Sequence, residues 1–129
     1  MKHGWFALNK RDPKLTALQF NEYINNQDIN GLSSLMTKDH IFIDRKGDQY
    51  GDMVNGWLEF FNNFPTYKNY FSRVESRGNL VILIGHAKWS EDSLEKDNAI
   101  WTATVVEDLV VEWHIYEDTE ENRKLLIIT

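Results

Sequence analysis

A chain of 129 residues and 15.2 kDa is the size of one domain and can bury about two thirds of the surface its unfolded form exposes, so neither a disulfide nor a metal is needed to hold it. It contains no cysteine, which excludes a disulfide framework and a thiol nucleophile, and its formal charge of -6 with a pI near 5.1 repels nucleic acid and anionic membranes alike. The first residues lack the unbroken apolar core of a signal peptide, and no window has the length of a membrane span, so the expectation is a cytoplasmic protein with no nucleic-acid or membrane partner.

Residues 1–11 have no clear period and read as an N-terminal arm, leaving 12–129 as the single domain. Asp12-Pro13 is a helix start, since Asp can cap the first amides and Pro is tolerated where the N–H is unsatisfied anyway. Ala17, Phe20, Tyr23 and Ile24 then form one stripe, and Asp28 caps a second, shorter helix through Leu32, Leu35 and Met36. His40 to Asp44 alternates as a short strand with His40, Phe42 and Asp44 on one side. After the Lys46-Gly47-Asp48 turn, Gly51-Asp52 opens a third helix whose stripe is Val54, Trp57, Leu58 and Phe61, widened by Phe60 and Phe64 and stopped by Pro65.

Four strands follow: Tyr67 to Ser76, Leu80 to Ser90 with Gly85 as a bend point, Ala99 to Val106, and Leu109 to Asp118. A charged loop spans 91–98, and Thr119 to Thr129 fits either a short helix or a last extended piece. On the final strand Leu109, Val111, Trp113 and Ile115 project one way, and Val110, Glu112, His114, Tyr116 and Asp118 the other. The second set mixes a His, a Tyr and carboxylates with an apolar start, so it reads as a pocket wall. Leu109, Val111, Trp113 and neighbours such as Trp101 would then form an outer apolar patch suited to a homodimer. Helices gathered ahead of an antiparallel run predict an α+β domain, a curved antiparallel sheet wrapped as a cone around the N-terminal helices.

With these elements the chain resembles the nuclear transport factor 2-like superfamily, in its SnoaL-like and ketosteroid isomerase-like branch. The resemblance is carried by Phe20-Asn21, Asn25, Asp28, Leu32, Leu35-Met36, Asp39, Phe42 and Asp44, then Gly51 before the aromatic helix, and Glu112-x-His114-x-x-x-Asp118. It implies a conical pocket for a small apolar or aromatic molecule, lined by Phe20, His40, Phe42, Trp57, Phe61, Glu112, Tyr116 and Asp118. It also implies cofactor-independent acid/base chemistry of isomerase, cyclase or lyase type, with Asp44 at the position of the isomerases' general base and His114 as acid.

Two departures are visible. The isomerases' helix tyrosine falls on Phe20, which has no O–H to donate, and SnoaL-like chains carry Trp where this one has His114. Asp118 and its neighbour Glu117 compete for the position of the cyclase carboxylate. Each residue also has a plainer role. Asp44 can be satisfied by Arg45 or by turn amides, His114 can be a wall residue held by Glu112, and the aromatic helix can be core. His40, His86 and His114 with Asp44 match no metal motif, so neither metal nor cofactor is expected. The alternative to an enzyme is a ligand sensor or interaction module of the same fold.

Overall fold

In the computed structural model, which describes residues 11–92 and 94–129, the Asp12 carboxylate accepts from the Lys14 amide at 3.0 Å and Pro13 fills the first turn of α1 (Pro13–Asn25). The arm expected at the N-terminus lies, up to residue 10, outside the described residues. Asp28 accepts from the Gly31 amide at 2.9 Å to start α2 (Ile29–Leu35). A Cβ on Gly31 would fall 2.4 Å from the Tyr23 ring, so the glycine is what lets α2 close on α1.

The chain runs directly into β1 (Met36–Ile43), turns, and pairs back through β2 (Gln49–Tyr50) before α3 (Met53–Asn63). Then come β3 (Lys68–Arg77), β4 (Leu80–Lys88), β5 (Asp97–Val106) and β6 (Leu109–Glu117), and a final helix α4 (Glu120–Leu125) capped by Thr119. The six strands form one sheet in the order β2-β1-β6-β5-β4-β3. It is mixed rather than wholly antiparallel, because β1 returns beside β6 in the same direction. The connection from β1 to β6 runs through β2, α3 and the β3–β5 meander, which lets β6 return beside β1 in the same direction, and no local sequence pattern announces it.

Three register shifts interrupt the sheet: one in β1 between Met36 and Ile41, one in β3 between Phe71 and Arg73, opposite Gly85 and Ile84, and one between Thr104 and Val105. Gly85 faces the shift in β3, and a Cβ there would lie 1.8 Å from the Tyr70 carbonyl oxygen. The expected bend point at Gly85 is therefore the flat side of a bulge carried by its partner strand.

The curved sheet is covered on both faces. Its inner face sends Val81, Leu83, Trp101, Ala103 and Trp113 against Ala17, Phe20 and Ile24 of α1 and Trp57 and Phe61 of α3. Its outer face buries Ile82, Ile84 and Ile100 beneath Leu126 and Ile128 of the C-terminal segment. Arg77 donates to the Leu126 and Ile127 carbonyls and Arg73 to that of Thr129 at 2.6 Å, while Glu75 bridges the two guanidinium groups.

This reverses the expected orientation of the last strand. Trp101 and Trp113 are 0% exposed inside the protomer and unavailable to a second copy, whereas His114 and Tyr116 face outward. Strand alternation separated the two sets from Glu112 onward but misplaced Val110, which the register shift opposite Thr104 and Val105 turns inward beside Trp113; both sets are rich in apolar and aromatic atoms, so composition could not say which one the helices cover.

Candidate functional site

A cavity of about 460 Å³ opens between α3, the β1–β2 hairpin and the inner face of the sheet. That volume suits a small organic molecule. On α3 the residues facing it are Met53, Gly56, Trp57 and Phe60, at i, i+3, i+4 and i+7. This stripe is rotated from the expected one: Val54 and Leu58, at 38% and 48% exposure, look outward. Gly56 hid the pattern, because a glycine carries no hydropathic signal, yet its missing side chain is part of the empty space. A helix-interior glycine costs about 1 kcal/mol relative to alanine, a cost with a use here if room is needed.

The walls are a continuous set of rings. Trp57 meets Phe60 edge-on at 5.6 Å and Phe42 at 5.8 Å; Phe60 meets Tyr67 at 4.8 Å, and Tyr67 meets Trp89 at 4.9 Å. Tyr67 is almost wholly buried, and burial raises the pKa of its phenol far above the ordinary value, so the hydroxyl stays protonated.

Charge enters along the turn after β1. Asp44 accepts from the Lys46 and Asp48 amides at 2.9 and 3.0 Å and from the Tyr50 hydroxyl at 2.9 Å. Desolvation pushes its pKa up, but those three hydrogen bonds together with the Lys46 charge outweigh it and hold the carboxyl below the usual carboxylate range. Arg45 lies beside it, its Nη2 2.8 Å from Asp97 Oδ2, and the same oxygen accepts from Trp89 Nε1 at 2.9 Å.

Of the residues that sequence reasoning assigned to the site, Asp44, Phe42 and Trp57 line the cavity. Phe61 stacks behind Trp57 at 5.6 Å, and Phe20 is buried between His40 and Trp113, at 5.6 and 4.9 Å. His40 is on the inner face, where its Nδ1–H donates to the Val110 carbonyl at 2.7 Å, and burial lowers its pKa. These are core positions. His114 is on the opposite side of the sheet from Asp44. In register it sits beside Ile43 and Thr102, stacks on Tyr116 at 3.8 Å, and has Glu112 4.0 Å from its Nδ1.

Burial lowers the His114 pKa, partly offset by the Asp44 charge. Asp118 is taken up by Arg123, at 2.6 and 2.9 Å, and anchors α4. Asp44 thus lines the aromatic-walled cavity and His114 does not, although the Asp44 charge reaches its ring. Alternation explains the separation, since residue 42 and residue 113 are register partners facing inward and their neighbours 43 and 114 face outward. The three histidines are also divided between faces, and among the described residues no group of His, Cys, Asp or Glu could hold a metal ion. No helix among them is long and apolar enough to cross a membrane.

Sequence reasoning did not assign Arg45, Tyr50, Phe60, Tyr67 or Trp89 to the site. Three of these, Tyr50, Tyr67 and Trp89, are aromatics at the ends of elements, where a cone has its mouth, and that position was the available clue; Phe60 lies within α3 and follows from its rotated stripe. Arg45 carried no clue beyond adjacency to Asp44.

No family model matches the sequence, and no curated protein does. Solved structures do. A nuclear transport factor 2-like protein of unknown function from Cytophaga hutchinsonii is 13% identical, over 90% of this chain and 95% of that one, with a TM-score of 0.68. A Shewanella putrefaciens protein described as a SnoaL-like polyketide cyclase is 15% identical, over 91% and 97%, at 0.70. TerC, co-crystallised with polyporic acid, is 17% identical, over 90% and 99%, at 0.67. At these identities the likeness is one of fold: the chain has the nuclear transport factor 2-like, SnoaL-like architecture.

Proposed function

We propose that this chain, built on the nuclear transport factor 2-like fold, is a small-molecule-binding protein whose ligand lies in the cone against α3. The observation that supports this best is the cavity itself: about 460 Å³, walled by Trp57, Phe60, Tyr67 and Trp89, with the charged groups of its described lining confined to the turn at residues 44–46. A cavity that only filled a packing defect would not need a ring of aromatics with a polar rim. That TerC was crystallised with a small molecule is in keeping with this reading.

If chemistry occurs in the same space, it falls to Asp44, with the Tyr50 and Tyr67 hydroxyls as donors, and not to a pair with His114. A carboxylate held by three hydrogen bonds and kept low in pKa is a weak base, and this favours binding over proton abstraction. The catalytic reading requires that Asp44→Asn abolish turnover.

The test is to close the space. Gly56→Leu adds a side chain inside the cavity; its Cβ would meet only the flexible end of Met53, at 2.9 Å, and leucine is the better helix former. By calorimetry 2-naphthamide should bind the parent protein, and its affinity should fall about tenfold or more in Gly56→Leu with the melting temperature unchanged. Unaltered affinity in that variant, or no binding by the parent of 2-naphthamide or of its acidic and cationic analogues, rejects the cavity as a binding site.

A further inference from the structure

From the arrangement of Arg45, Asp97 and Trp89 we infer that the ligand of this cavity is an aromatic or largely apolar carboxylic acid, bound as its anion with the carboxylate on the Arg45 guanidinium. This inference rests on the cavity being a binding site and adds the ligand's charge and the residue that reads it.

Arg45 is the half-buried cation of the wall, and its position is fixed by a chain of contacts. The Trp89 indole N–H donates to Asp97 Oδ2, and the same oxygen accepts from Arg45 Nη2. Trp89 is itself part of the aromatic wall, 4.9 Å from Tyr67. The ring system and the guanidinium are thus oriented by one carboxylate. A guanidinium has five N–H donors in a planar fork. The contact to Asp97 uses one terminal nitrogen, so further donors remain for a second planar acceptor. A carboxylate attached to a flat ring matches both halves of the site, the fork by two hydrogen bonds and the rings by stacking.

The other charged groups point the same way. Lys46 is exposed next to Arg45 and adds positive potential at the rim. Asp44, the one carboxylate of the lining among the described residues, has both oxygens engaged by the Lys46 and Asp48 amides and by the Tyr50 hydroxyl, so it is the less available partner for a bound cation. On a chain of net charge -6, the described lining places Arg45 and Lys46 together against Asp44, with Asp97 offsetting part of the Arg45 charge from outside it.

The experiment compares three probes of one shape by calorimetry: 2-naphthoate, the neutral 2-naphthamide and the cationic 2-naphthylmethylammonium. Naphthoate should bind at least about tenfold more tightly than naphthamide, and the ammonium probe most weakly. Arg45→Gln should bring naphthoate down to the affinity of naphthamide, while Arg45→Lys, which keeps the charge and loses the fork, should recover part of the difference. Asp44→Asn removes a like charge from the rim and should raise naphthoate affinity. Melting temperatures of the variants check that each is folded.

Equal binding of acid and amide, or an acid preference that survives Arg45→Gln, overturns the inference and leaves the cavity as a neutral aromatic site. Preference for the ammonium probe overturns it in favour of Asp44. Failure of all three to bind overturns both the inference and the binding role beneath it.

Discussion

One methyl group added at residue 85 would sit 1.8 Å from the Tyr70 carbonyl oxygen and 2.8 Å from the Phe71 Cα, both backbone atoms of the bulged strand. Neither can swing away as a side-chain end could. Gly85→Ala should therefore cost about 2–3 kcal/mol, and chemical denaturation should show a midpoint displaced accordingly. A loss under about half a kcal/mol would mean that the bulge at Phe71–Arg73 is adjustable and not a fixed part of the curvature. Gly56 is the contrasting case. There the nearest atoms belong to the mobile end of Met53, so an added side chain is tolerated and the cost is borne by the cavity. Two glycines of similar appearance in the sequence thus answer to different physics, one to a backbone collision and the other to a volume.

At the scale of elements, the α4 region is held by its main chain. Arg77 and Arg73 bind the carbonyls of residues 126, 127 and 129, and Asp118 pairs with Arg123 at the start of the segment. Replacing both Arg73 and Arg77 by alanine should speed amide hydrogen exchange across residues 120–129 and at the Ile82–Ile84 stretch beneath them, while the α1 amides keep their protection. If exchange over the segment stayed as slow as in the parent, Leu126 and Ile128 alone would be holding it.

The elements themselves were largely legible in the sequence. Caps at Asp12 and Asp28, the stop at Pro65 and the alternation of the four long strands are local chemistry, and local chemistry can be read. The parallel pairing of β1 with β6 and the rotation of the α3 stripe depend on distant partners and on a glycine that leaves no mark. The site was legible in part for the same reason. Asp44, Phe42 and Trp57 follow from alternation and helical period, but no period tells which face of β6 the helices cover.

For the whole molecule, the resolved acid and histidine shifts share one sign. Hydrogen bonds and ion pairs hold Asp12, Glu75 and Asp118 low, and burial lowers His40, His86 and His114. A group whose folded pKa lies below its unfolded value stabilises the fold above the unfolded value, and that stability is lost as pH falls toward the folded one. Stability should then be full near pH 7, decline below about 6.5 as the unfolded histidines take up protons, and decline again below about 4 with the carboxylates. The tyrosines run the other way. Tyr50, Tyr67 and Tyr116 are raised, so their contribution is present below pH 10 and lost above it. Melting temperatures at pH 7.0, 5.5 and 3.5 should fall in that order, and a maximum at pH 5.5 would show that the histidine shifts are not felt by the fold.

Recognition of carbonyls rather than side chains in the C-terminal segment has an evolutionary reading. A grip on the peptide groups of residues 126, 127 and 129 is indifferent to what those residues are, except where Leu126 and Ile128 rest on the sheet. Ile127, 73% exposed with φ at +55°, is constrained by its backbone angle and not by any neighbour. Under neutral drift this segment would accumulate changes in alternation, with positions 126 and 128 conserved as apolar. Position 127 would drift toward glycine or asparagine, the residues most at ease in that conformation.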